Sequence, residues 1–246
     1  MSAIAITDRD LSLFHYLHEN KVASTKQITR DVFASSMDKT RKRLKKLRDA
    51  DVLDVVCRDE DGDKSIVYNL SRGTAQFLKR LDPDLFFINR SKSNSVIHDL
   101  RLVDIRHQLT SKKLVTNYFS ENSLQTSRDI TRNPQYVSFR DLQVDALVEL
   151  SNREGDHLFC ALEYEASIKN MSEYTSKMKL FYLNSKVEAV LYVCKNKNIE
   201  RAVKKTELNA IKDSPKKIYY ALIDDVLKSS GPIIFQNQSG FFIEIT

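Results

Sequence analysis

Three carboxylates in the second half of the chain have the spacing of a divalent-cation site. Asp145 lies in an alternating stretch that predicts a strand over 142–150, and Glu163 and Glu165 end the next predicted strand, over 157–165. Side chains two residues apart on a strand point to one face, and a hairpin can bring Asp145 alongside them. Because clustered carboxylates repel one another, the pattern favours a counter-charge such as Mg²⁺ or Mn²⁺, which prefer oxygen ligands. Such an ion could polarise a phosphodiester and activate a nucleophile.

Two lysines follow these carboxylates closely. Lys169, Glu173 and Lys177 are spaced by four residues, so the helix predicted over 168–184 presents them on one face. A lysine here could offset charge that develops on a phosphate, or position the attacking group. The alternative is structural, with exposed acids on a strand matched by lysines across a turn. The spacing alone does not decide between the two interpretations.

A dense run of positive charge lies in the first quarter of the chain. Between positions 39 and 48 no acid occurs, and the cations are Lys39, Arg41, Lys42, Arg43, Lys45, Lys46 and Arg48. Lys39, Arg43 and Lys46 follow helical spacing and therefore share a face. Such a helix face is either solvated or held against a polyanion, and its setting in the chain favours DNA.

The segments around this run predict a winged helix-turn-helix. Thr7, Ser24 and Ser36 are N-cap residues ahead of three helices with apolar stripes, and Gln27 completes a capping-box pattern with Ser24. The basic run falls on the third helix. This third helix is the second member of the helix-turn-helix pair, and in such a pair the second member lies in the major groove. The basic run is therefore predicted to contact double-stranded DNA.

A predicted hairpin completes this domain. Its strands cover 52–58 and 64–70, and the acidic turn Glu60-Asp61-Gly62-Asp63 joins them. A winged helix can also bind proteins, so the fold alone does not establish DNA binding.

The remainder of the chain predicts an α/β (α+β) domain with a mixed sheet. From Val96 onward the order is helix, strand, hairpin, helix, strand, helix, strand. Residues 120–140 are polar and receive no predicted element. The proline and the Ser/Asn-rich patch between 82 and 95 indicate a joint, which gives predicted domains at 1–82 and 96–246.

Composition excludes several classes of protein. The chain has 246 residues, a net charge of +6 and three widely separated cysteines, none of them in a CxxC pair. These features argue against a disulfide framework and a structural zinc site, and they fit a cytoplasmic protein. We expect no signal peptide and no membrane-spanning segment, and the absence of a glycine-rich phosphate loop argues against ATP-driven chemistry.

Two levels of resemblance follow from these motifs. An Asp, a Glu-x-Glu at a strand end and a lysine-bearing helix resemble the PD-(D/E)XK nuclease core, a restriction-endonuclease-like mixed-sheet domain. More narrowly, a winged helix followed by HDLRLVDIRHQL, LQVDALVEL and FCALEYEASIKNMSEYTSKMKLFY resembles the replication-relaxation family and the MOB-C type (MobC-like) plasmid relaxases grouped with it. The resemblance implies a metal-dependent relaxase that nicks one strand at a plasmid transfer origin to start conjugative mobilisation. It also implies a coupling protein of the conjugation system as a partner.

The resemblance adds residues to the candidate site and alters one. It brings in His98 and Asp99, with His98 as a metal ligand or general base, although a lone histidine at a helix start is more often a cap or surface residue. The nuclease motif usually has a lysine where Glu165 stands. Lys169 or Lys177 would then be the migrated substitute for that lysine.

A covalent mechanism is not predicted. Tyr164, Tyr174 and Tyr182 are near the candidate site in sequence, but Tyr174 falls on an apolar helical stripe and Tyr164 points away from its flanking glutamates. A metal-activated water or hydroxyl is therefore the expected nucleophile.

Two rival hypotheses remain. The chain could be a non-catalytic DNA-binding initiator or transcriptional regulator that keeps the nuclease fold as a scaffold. It could also be a restriction-type endonuclease that cuts both strands.

Overall fold

The chain folds into two compact units. The computed structural model describes residues 4–58, 65–85, 95–151, 154–211 and 217–246. One unit comprises Met1–Asp104 and Gln125–Asp129, and the other comprises Ile105–Leu124 and Ile130–Thr246. The sequence predicts domains at 1–82 and 96–246, whereas the first unit extends to Asp104.

The first unit contains short helices and a three-stranded antiparallel sheet with the strand order β1-β3-β2. Its elements are α1 (Asp8–Asn20), β1 (Ala23–Ser24), α2 (Thr25–Ile28, continued by a π-helical turn Thr29–Phe33), α3 (Met37–Asp49), β2 (Leu53–Arg58), β3 (Ile66–Leu70) and α4 (Arg72–Leu81). Three helices followed by a hairpin make the predicted winged helix-turn-helix. The predicted turn Glu60–Asp63 lies outside the described residues.

Helix caps determine where these helices begin. The Thr7 and Ser24 side chains each accept a hydrogen bond from a backbone N–H in the first turn of their helix. In return, the side chains of Asp10 and Gln27 accept the backbone N–H of Thr7 and of Ser24, which completes two capping boxes. Ser36 caps α3 through the N–H of Lys39. All three predicted caps are confirmed.

Gln27 also connects α2 to a later helix, α5 (Val96–Thr110). Its Oε1 accepts the Ser24 N–H at 3.0 Å, while its Nε2 donates to the Leu100 carbonyl at 2.8 Å and to Asp104 Oδ1 at 3.0 Å. Arg30 pairs with the same aspartate at 3.0 Å. These contacts explain why the first unit includes the beginning of α5.

The second unit is built on a seven-stranded mixed sheet with the order β10-β9-β8-β7-β6-β5-β4. The elements that follow α5 are β4 (Val115–Ser120), α6 (Glu121–Thr126), α7 (Arg128–Arg132), α8 (Pro134–Asp141), β5 (Ala146–Ser151), β6 (His157–Glu165), α9 (Met171–Leu183), β7 (Ala189–Cys194), α10 (Lys197–Ala210), β8 (Ile218–Leu222), α11 (Ile223–Leu227), β9 (Ile233–Gln236) and β10 (Phe242–Ile245). The residues of α6 and of α7 are each divided between the two units. The predicted α/β (α+β) class with a mixed sheet is therefore confirmed.

Three parallel strands form the centre of this sheet. β6, β7 and β8 run parallel, whereas β5 and β4 on one side and β9 and β10 on the other are antiparallel to their neighbours. Helices α9 and α10 make the two crossovers and pack against each other. Every residue of β7 is buried, as its apolar sequence predicts.

Two regions differ from the sequence predictions. The strand predicted over 142–150 begins only at Ala146, because 142–145 form a turn after α8 in which Gln143 has a positive φ of 50°. Residues 146–150 of this strand are all buried, so both faces of the strand are covered, whereas the alternating sequence predicts one buried face. Residues 120–140, which received no prediction, form most of the short helices α6, α7 and α8.

A buried carboxylate joins α9, α10, β8 and the chain beyond β9. Glu207 is fully buried and accepts hydrogen bonds from the hydroxyls of Tyr182 at 2.6 Å and Tyr220 at 2.8 Å. The Gln238 amide donates to it as well. Since its oxygens are supplied with donors, Glu207 has a structural role.

Within the described residues, no helix is both long and apolar enough to cross a membrane.

Candidate active site and DNA-contact helix

The three predicted carboxylates lie at the same end of β5 and β6. Ala146 pairs with Leu162, so Asp145, just before β5, lies next to the end of β6. Asp145 Oδ2 accepts the backbone N–H of Tyr164 at 2.7 Å. Glu163 and Glu165 are each only 1% exposed. The prediction that Asp145 lies on a strand was wrong, because Asp145 ends the turn between α8 and β5.

Each predicted lysine pairs with one of the two glutamates. Lys177 Nζ, on α9, is 2.7 Å from Glu163 Oε2, and Lys169 Nζ is 2.9 Å from Glu165 Oε1. Lys169 precedes α9, which begins at Met171 rather than near 168, so the two lysines do not share a helix face. Both glutamates therefore have a cationic partner from the segment that follows β6.

Burial dominates the electrostatics of this cluster. Burial raises the pKa of Glu163 to about 8; Lys177 opposes the increase, and the negative charges of Asp145 and Glu165 add to it. Burial also raises the pKa of Glu165, against the lowering effect of its hydrogen bond to Lys169. Burial would lower the pKa of Lys169, but its pairing with Glu165 outweighs that and raises it.

Two buried polar atoms in the cluster have no hydrogen-bond partner in the described part of the chain. They are Glu163 Oε1 and the hydroxyl of Tyr192. These residues are register partners on the parallel strands β6 and β7, so their side chains point to the same face of the sheet. Burial, followed by the charge of Glu163, raises the pKa of Tyr192 well above its usual value.

Sequence reasoning missed Tyr192. The available signal was a single hydroxyl in an otherwise apolar strand, which a core position explains equally well.

The side chains of the cluster have the chemistry that a hard divalent cation prefers, but they are not arranged to hold one. Among the described residues, no group of three His, Cys, Asp or Glu side chains is placed to hold a metal ion. Carboxylate oxygens are nevertheless the ligands that Mg²⁺ and Mn²⁺ prefer, and Glu163 Oε1 is an open acceptor. A cation would be held by Glu163 with Asp145 or Glu165 once the paired lysines move aside.

Two of the nearby tyrosine hydroxyls are engaged with buried carboxylates. The hydroxyl of Tyr174 lies 3.4 Å from Glu165 Oε2, and its ring belongs to the core together with Met178. The hydroxyl of Tyr182 donates to Glu207. Tyr164 is buried at 3% exposure.

His98 belongs to the first unit, whereas the carboxylates belong to the second. It lies in the first turn of α5, where its N–H donates to Ser95 Oγ at 3.3 Å and its Nδ1 is 3.5 Å from Asp99 Oδ1. Its role as a metal ligand or general base remains a prediction.

The basic run forms α3, but its seven cations differ in their surroundings. Five are exposed: Lys39, Arg41, Lys42, Lys45 and Lys46. Arg43 instead donates from Nε to the buried Asp10 carboxylate at 2.9 Å and from Nη2 to the Ala5 carbonyl at 2.8 Å. Arg48 pairs with Asp49 at 2.6 Å. The exposed cations are the ones available to a phosphate backbone.

Comparison with known proteins identifies a family. The model of the replication-relaxation family matches residues 14–205, and the chain belongs to this family. Membership implies involvement with DNA and suggests a role in replication or mobilisation. No curated protein and no solved structure matches the chain.

Proposed function

We propose that this member of the replication-relaxation family nicks one strand of DNA at a plasmid transfer origin, in a metal-dependent reaction that starts conjugative mobilisation. The observation that carries the proposal is the buried Glu163–Lys177 pair, with its open carboxylate oxygen, beside Asp145 and Glu165. Perturbed carboxylates grouped with cations are typical of sites that handle charged substrates.

Each part of the site has a role in this proposal. Asp145, Glu163 and Glu165 would hold Mg²⁺ or Mn²⁺, which when bound polarises a phosphodiester and lowers the pKa of water. Lys169 and Lys177, released from their glutamates, donate to phosphate oxygens and offset the charge that develops there.

Substrate binding is assigned to the first unit. The exposed cations of α3 contact the phosphates of double-stranded DNA, as in other helix-turn-helix proteins. A coupling protein of the conjugation system is the proposed partner for transfer of the nicked strand.

The test uses supercoiled plasmid that carries a transfer origin, with Mg²⁺ or Mn²⁺. We expect wild-type protein to give open circles, and Asp145→Ala and Glu163→Gln to lose about 10²-fold or more of this rate. Glu173→Ala is the matched control, because Glu173 is an exposed acid on α9 and its loss leaves the rate unchanged. Linear product would replace the nickase with an endonuclease that cuts both strands.

A non-catalytic DNA-binding initiator or regulator is the second candidate. The favouring observation is that lysines already pair with two of the acidic side chains, Glu163 and Glu165, while the described residues hold no group of three side chains placed to bind a metal ion. Wild-type protein that binds DNA but leaves the plasmid supercoiled with either metal would establish this candidate and overturn the nickase.

A further inference from the structure

A stripe of exposed cations runs along one face of α10. Lys197, Arg201 and Lys205 are spaced by four residues, so they lie on one side of the helix, and all three are exposed. Within the described residues, none of the three has a carboxylate within salt-bridge distance. Lys204, by contrast, is paired with Glu200 at 2.5 Å. Among the described residues of the second unit, the stripe therefore has no acidic partner.

The stripe begins beside the carboxylate cluster. Cys194, the last residue of β7, pairs in register with Glu165, and the Lys195 N–H donates to the Glu165 carbonyl at 2.9 Å. α10 starts at Lys197, only two residues later, and packs against α9, which carries Lys177. The cations thus extend away from the end of the sheet where Glu165 lies.

We propose that this stripe binds the phosphate backbone of duplex DNA next to the carboxylates, which gives the second unit its own DNA contact. The proposal rests on the proposed function for the identity of its ligand. From Lys197 to Arg201 to Lys205 the helix rises about 12 Å. This length matches about three to four phosphate-to-phosphate steps of one strand along the duplex axis.

The chemistry of the stripe fits DNA better than a membrane surface. A helix that lies on a membrane needs an apolar face turned outward, whereas the outward face of α10 carries cations with Leu208 as its one large exposed hydrophobic residue among those described. Evenly spaced cations on a rigid helix suit a regular polyanion.

The test compares two variants that lose the same charge. Arg201→Gln/Lys205→Gln removes two cations of the stripe. Lys113→Gln/Lys186→Gln removes two exposed cations that precede β4 and β7, at the opposite ends of their strands from the carboxylates. Binding of the full-length chain to a short duplex is measured by fluorescence anisotropy over a range of salt concentrations in EDTA, with circular dichroism as a check on folding.

We expect the slope of log K against log salt to become shallower by about 2 in the α10 variant, because each lost phosphate contact removes about 0.9. The control variant should keep the wild-type slope. Equal slopes for wild type and the α10 variant, or equal reductions in both variants, would overturn the proposal.

The outcome is separable from that of the nickase. Binding in EDTA does not depend on strand cleavage, so a shallower slope in protein that never nicks supports the DNA contact while the nickase fails. Nicking by a wild-type protein whose α10 variant keeps the full slope supports the nickase and refutes the contact.

Discussion

Arg43 is predicted to stabilise the winged helix rather than to bind DNA. Its guanidinium contacts both carboxylate oxygens of Asp10, which is 1% exposed and also accepts the N–H and hydroxyl of Thr7. Burial would raise the pKa of Asp10, but the hydrogen bonds from Arg43 and Thr7, together with the charge of Arg43, outweigh this and lower it. The ionised carboxylate therefore depends on Arg43 for its charge balance.

The size of the effect follows from burial. Removing one partner of a fully buried ion pair costs about 3–5 kcal/mol, because a charge is left without compensation. The Arg43 side chain is 27% exposed, so water partly replaces it and we expect Arg43→Met to cost about 2–3 kcal/mol. Asp10→Asn/Arg43→Met should recover part of this loss, since no buried charge then remains.

The assay is urea unfolding together with the salt dependence of DNA binding. Lys42→Met is the matched control: Lys42 is exposed, so its loss should change the unfolding free energy by less than about 0.5 kcal/mol and the salt slope by about 0.9. Arg43→Met should show the reverse pattern. If Arg43→Met keeps wild-type stability and loses as much slope as Lys42→Met, the structural role of Arg43 is refuted.

Three further predictions concern buried polar groups of the second unit. Because the folded-state pKa of Glu163 is raised to about 8, its contribution to stability is complete below about pH 4.5 and is lost as the pH rises through 8. Between about pH 4.5 and pH 8 the unfolding free energy of metal-free wild type should therefore fall relative to that of Glu163→Gln. Curves of unfolding free energy against pH that are parallel for the two proteins would contradict this. Tyr192→Phe removes a buried hydroxyl that has no partner among the described residues, so the free energy of unfolding, measured by thermal unfolding, should rise by about 1 kcal/mol. A decrease of that size would mean that the hydroxyl makes a stabilising hydrogen bond. Glu207→Leu leaves two tyrosine hydroxyls without their acceptor and should cost about 3 kcal/mol in urea unfolding, clearly more than Glu207→Gln, whereas equal costs would contradict the role of its hydrogen bonds.

The parts of the fold that were predictable from sequence have local causes. Ser24 and Gln27 satisfy each other across three residues, so their pattern identifies a helix start without knowledge of the rest of the chain. The burial of β7 is similarly predictable, because its sequence is continuously apolar. In the candidate site, the Glu-x-Glu spacing and the two following lysines were predicted, and the structure brings each lysine to a glutamate.

The parts that were not predictable depend on contacts between distant residues. The alternation around Asp145 suggested a longer strand, but the turn after α8 delays the strand to Ala146. Arg43 looked like any other cation of its run, because its partner Asp10 is 33 residues away. Tyr192 could be noticed only when the register of β6 and β7 set it beside Glu163.

The Gln27 side chain limits which substitutions the first unit can accept. Glutamate is the usual equivalent of glutamine in a capping box, and its carboxylate could accept the Ser24 N–H equally well. It has no N–H to give the Leu100 carbonyl, however, and it would place a second negative charge against Asp104. A substitution that is neutral for an isolated helix therefore becomes costly at this position, and variation in α2 is constrained by a helix about 70 residues further along the chain.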